Sequence, residues 1–100
     1  MMSNSDMKQM IDTFGKRICG ISLNNGKMVL IDYRGVGSTK LEDISFETIG
    51  GCDTMVIAKT DISSGTPLHY KNYVVTEFIE SVIVMDEDSE KYRVDPILLK

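Results

Sequence analysis

Few residues of this 100-residue chain are of a type that does chemistry. His69, the only histidine, is the only imidazole base available to a nucleophile. It stands at strand spacing with Lys71, Tyr73 and Val75, a pattern of surface or interface residues rather than of a catalytic pair. Cys19 and Cys52 form no Cys-x-x-Cys motif, and with one histidine they cannot complete a four-ligand zinc site. The carboxylates of Glu42-Asp43 and Asp86-Glu87-Asp88 are chain neighbours, so on a strand they point to opposite faces. The segment from Asp86 to Pro96 lacks the central glycine of a calcium loop. Gly35-Val36-Gly37-Ser38-Thr39-Lys40 has glycines and hydroxyls, but its hydroxyls precede the lysine, the reverse of a phosphate loop. It reads as a hairpin loop. No catalytic residue, metal, cofactor or enzyme activity is expected.

Binding remains. Arg17, Arg34 and Lys71 could meet phosphate, and Tyr70 and Tyr73 could stack on a ring, with Tyr33 and Tyr92 as further aromatics. These residues predict a non-enzymatic module that holds a small anionic, nucleotide-like ligand or a short nucleic-acid segment at a subunit interface. The alternative comes from charge. The net charge is −4, and residues 1–76 hold eight acids and eight bases while residues 77–100 hold seven acids and three bases. An acidic end of that kind, with Asp86, Glu87 and Asp88 at its centre, fits an inhibitor of the immunity or anti-defence kind that blocks a basic protein partner. The same negative charge disfavours a large nucleic-acid footprint.

The elements that must position these residues follow from pattern. Met7, Met10, Ile11 and Phe14 share one face of a helix over residues 4–15, capped by Asn4 or Ser5 and stopped by Gly15. Residues 17–23 and 27–34 read as strands joined by a two-residue type I′ turn at Asn25-Gly26. That turn sets Leu23 opposite Met28 and Ile21 opposite Leu30. One face of the hairpin is then Cys19, Ile21, Leu23, Met28 and Leu30, and the other carries Ile18, Val29, Ile31 and Tyr33. A hairpin apolar on both sides needs a helix, a barrel closure or a second subunit over it, so a homo-oligomer is expected. Further strands are expected at 43–49, 53–59, 68–76 and 78–85, with a corner at Thr76-Glu77 and loops at Gly50-Gly51 and 61–67. Residues 86–100 form an acidic linker and an extended tail. No apolar run approaches the ~20 residues of a membrane span. With a polar N-terminus, a reducing cytoplasm is expected, and both cysteines are expected to be buried thiols. The fold class is mainly β: a helix followed by a small, strongly bent antiparallel barrel of five or six strands in a single domain over 1–85.

This order of elements resembles that of Sm-like (LSm, Hfq-type) barrels. The segments that carry the likeness are Phe14-Gly15-Lys16-Arg17, Ile21 to Lys27, and Tyr70 to Val82 around the corner. The likeness covers about residues 5–85 in chain order. It implies assembly into a ring or dimer through exposed edge strands. The RNA-contact signatures of that family are absent: no Asp with a paired Asn occupies the central loop, and Ile79-Glu80-Ser81-Val82 replaces the expected basic element.

Overall fold

The computed structural model describes residues 2–31 and 38–86. Helix α1 (Asn4–Phe14) is capped by Ser3 rather than by Asn4 or Ser5. Ser3 and Asp6 form a reciprocal capping box: Ser3 Oγ accepts from the Asp6 N–H at 3.1 Å, and Asp6 Oδ2 accepts from the Ser3 N–H at 2.9 Å. Gly15, at φ 53°, ends the helix, and its N–H donates to the Ile11 carbonyl. Met7 and Ile11 are buried, and Phe14 packs against the same core. Each such side chain contributes on the order of 1.5–3 kcal/mol by leaving water.

Among the described residues six strands follow: β1 (Ile18–Leu23), β2 (Met28–Leu30), β3 (Thr39–Ile49), β4 (Cys52–Asp61), β5 (Leu68–Val75) and β6 (Ile79–Val84). They make two antiparallel sheets, in the orders β2-β1-β6 and β3-β4-β5. The mainly β class and the helix are as expected. The barrel is not closed, because no strand of one sheet is paired with a strand of the other among the described residues. Instead the sheets meet through side chains. Ile18, Ile21 and Ile79 of one pack with Leu41, Ile44, Met55, Ile57 and Val74 of the other, and Met7, Ile11 and Ile31 complete the buried cluster. The corner between β5 and β6 is a 3-10 turn, Thr76–Phe78, which ends the β5 ladder before it can run on into the first sheet. Residues 87–100 of the expected tail and residues 32–37, which hold the end of the expected second strand and part of the expected 35–40 loop, lie outside the described residues.

The first hairpin exists, one residue out of the expected register. Leu23 N–H donates to Lys27 C=O at 2.8 Å, and Gly26 N–H donates to Leu23 C=O at 3.0 Å. The loop therefore has three residues, with Gly26 at φ 85°. This is the turn-plus-bulge hairpin rather than type I′. Asn25 caps it from its side chain, accepting from the Lys27 N–H at 3.0 Å. Ile21 now pairs with Val29, and Ser22 with Met28. A one-residue slip sends alternate side chains to the opposite face. Met28 and Leu30 consequently lie outside at 57% and 44% exposure, while Ile31 is buried. The type I′ chemistry sits at the next turn, where Gly50 and Gly51, at φ 59° and 79°, join the paired Ile49 and Cys52.

In the second sheet, a bulge between Leu41 and Asp43 inserts Glu42 into β3. It turns Leu41 and Ile44, three residues apart, toward one core. Strand β3 thus begins at Thr39, four residues before the alternation of Asp43 to Ile49 reveals it.

Candidate functional site

The second sheet ends on β5, whose eight residues have β4 as their only strand neighbour among the described residues. The β4–β5 ladder is regular from Thr54–Val75 to Asp61–Leu68. It sets Lys59 opposite Tyr70, Ala58 opposite Lys71, Val56 opposite Tyr73 and Thr60 opposite His69. Because β5 is an edge, side chains of both its faces reach one hollow. A concavity of about 450 Å³ is lined by Lys59, His69, Tyr70, Lys71 and Tyr73, with Ala58 as a small floor residue and Glu42 from the bulge. A second, of about 510 Å³, lies where the sheets face each other without pairing. Leu23, Val29 and Phe78 line it, and Lys71 and Tyr73 line it too, so these two residues belong to both hollows.

Lys59 is the unusual group. It is half-buried on the central strand, and burial lowers its pKa below the usual lysine value. His69 is exposed, and its Nδ1 is 2.8 Å from the Thr60 hydroxyl, which orients the ring and leaves Nε2 for a ligand. Asp43 stands beside Ala58 in the row that continues to Lys71, and its Oδ1 is buried with no hydrogen-bond donor. The hollow thus offers two ammonium groups, an imidazole, two phenols and one carboxylate.

Tyr70, Lys71 and Tyr73, expected as ligand contacts, line one hollow on β5. Arg17 does not join them. Its Nε donates to the Met85 carbonyl at 2.9 Å, and its own carbonyl accepts from the Met85 N–H at 2.8 Å, so it clasps the end of β6. Arg34 lies outside the described residues, as do Glu87 and Asp88; Asp86 is described and exposed. Lys59 and Ala58 are the lining residues that the sequence does not single out, whereas His69 and Glu42, weighed there as a base and one of a carboxylate pair, line the hollow without being expected as ligand contacts. The signal for Lys59 lies in hairpin arithmetic: closing β4 and β5 over the 62–67 loop places it opposite Tyr70. The bulge that delivers Glu42 has no comparable signature.

Elsewhere the chemistry is sparse. Cys19 is half-buried, with its Sγ 3.6 Å from the Ile83 carbonyl, but Cys52 is exposed, against expectation, because it follows directly on the Gly50-Gly51 turn. Among the described residues no three His, Cys, Asp or Glu side chains gather as metal ligands, and no helix is long and apolar enough to cross a membrane. Comparison with known protein families, with characterised proteins and with solved structures finds no match to this chain.

Proposed function

We propose that this protein is a non-enzymatic binding module that takes a small anionic ligand of nucleotide-like character in the hollow beside β5. The observation that carries the reading is Lys59, a half-buried ammonium with no salt-bridge carboxylate among the described residues, lining the same concavity as Lys71 and His69. An ammonium held partly out of water costs free energy that a bound anion returns. Tyr73, 57% exposed, offers a ring face for stacking. Glu42 can accept from a hydroxyl or amino group of the same ligand. Chain order supports kinship with Sm-like proteins, since β6 pairs back onto β1 after a 3-10 corner.

Titration calorimetry with adenosine monophosphate, ribose and inorganic phosphate tests the reading. Binding of the monophosphate, weaker binding of phosphate alone and none of ribose are expected. Lys59→Met and Lys71→Met should each weaken the monophosphate about tenfold, the equivalent of ~1.4 kcal/mol. Affinity for none of the three probes, or affinity untouched by both substitutions, overturns it.

A further inference from the structure

We infer that β5 is the seam of a twofold dimer, in which two copies of this chain pair their β5 strands antiparallel with Asn72 on the axis and Lys71 of each copy against Tyr73 of the other. The inference concerns assembly and stands independently of the ligand reading.

Long free edges are a hazard that folded proteins blunt with shortness, proline, charged side chains such as lysine, bulges or a covering element. The other edges are blunted in this way. Strand β2 is three residues long, β3 is bulged at Glu42 and has its Glu47 carbonyl taken by the Asn4 side chain, and the β6 ladder has two register shifts. Strand β5 has the fewest of these devices: it contains no proline and no register shift, nothing covers its outer edge among the described residues, and Lys71 is its one guard. It also carries two of the most exposed large apolar side chains, Leu68 at 61% and Tyr73 at 57%. Its single charged residue is Lys71.

That lysine selects the register. A continuous sheet with both cores on one side requires side chains of the same face to meet across the axis, so allowed registers differ by two residues. Two of them overlap most of the strand. In one, Lys71 stands opposite Lys71, and like charges directly opposite are destabilising. In the other, Asn72 faces Asn72, Tyr70 faces Val74, His69 faces Val75, and each Lys71 ammonium meets the ring of Tyr73, an attractive cation–π contact. The pairing joins six strands into one sheet. It also brings Tyr73 of the second copy beside Lys71, a residue of both hollows, so each hollow gains a wall from its neighbour.

Light scattering of the full chain without ligand is the test. The unsubstituted protein should return twice its 11.2 kDa, about 22 kDa. Tyr73→Lys sets ammonium against ammonium at both symmetric contacts and should raise the dimer dissociation constant by about tenfold or more. The double variant Lys71→Glu with Tyr73→Lys replaces each contact by an ion pair and should restore the dimer. Circular dichroism confirms that each variant is folded. A single-chain mass for the unsubstituted protein at high micromolar concentration overturns the inference. So does a dimer indifferent to Tyr73→Lys, or a double variant that stays dissociated.

Discussion

At Lys59 two demands oppose each other. Burial penalises its charged form, so its pKa in the folded chain lies below the unfolded value near 10.5. A lysine with a depressed folded pKa lowers stability while it is protonated. That penalty is relieved as pH rises through the folded pKa toward 10.5, where the unfolded chain still binds the proton. Lys59→Met should therefore raise the urea midpoint at neutral pH and flatten its rise toward alkaline pH, while anion affinity falls. A variant less stable than the parent contradicts this account of the residue. Gly26 makes a different point: at φ 85° it is in a region that β-branched residues resist. Nothing lies within 4 Å of the Cβ it lacks, so the cost of Gly26→Val is backbone strain alone. That strain is worth ~1–3 kcal/mol in chemical unfolding.

Among the elements, the sequence reveals the periodic ones and conceals the irregular ones. The stripe of Met7, Ile11 and Phe14 and the alternation of Ile44 and Phe46 identify α1 and β3 because each buries one face. The first hairpin is placed correctly but phased wrongly. Asn-Gly suits both a two-residue and a three-residue loop, and the choice rests on which register buries Ile31 instead of Leu30. The β3 bulge is illegible for the same reason, since only contact with a second layer shows that Leu41 and Ile44 face one core. Element ends also carry the acid sensitivity of the fold. Hydrogen bonds from Ser3 hold Asp6 below its usual pKa, and bonds from Ser63 and then Ser38 do so for Asp61. Depressed carboxylates contribute stability above their unfolded pKa of about 3.8 and lose it as pH falls through the folded values. The double variant Asp6→Asn with Asp61→Asn should thus lose stability at pH 7 and show a shallower decline below pH 4 in thermal unfolding.

For the whole molecule, two sheets with no ladder between them among the described residues leave their joining to side chains rather than to ladder hydrogen bonds. Met7 is fully buried in the core cluster that residues of both sheets share. Met7→Ala leaves a cavity that neither sheet can collapse to fill, and a loss of about 2–5 kcal/mol is expected from urea denaturation. A loss below 1 kcal/mol would mean that the sheets hold together without the helix.

Asn4 gives the structure a temporal order. Its N–H donates to Asp53 Oδ2, its side-chain amide donates to the Glu47 carbonyl, and its Oδ1 accepts from the Thr76 hydroxyl, across separations of 49, 43 and 72 residues. None of these partners is in place until β3, β4 and the 3-10 corner have formed around them. The Asn4 end of α1 is therefore expected to dock after these elements have formed. Contacts made after the rate-limiting step change unfolding rates and leave folding rates alone. In stopped-flow kinetics Asn4→Ala should accelerate unfolding about tenfold or more, with refolding nearly unchanged.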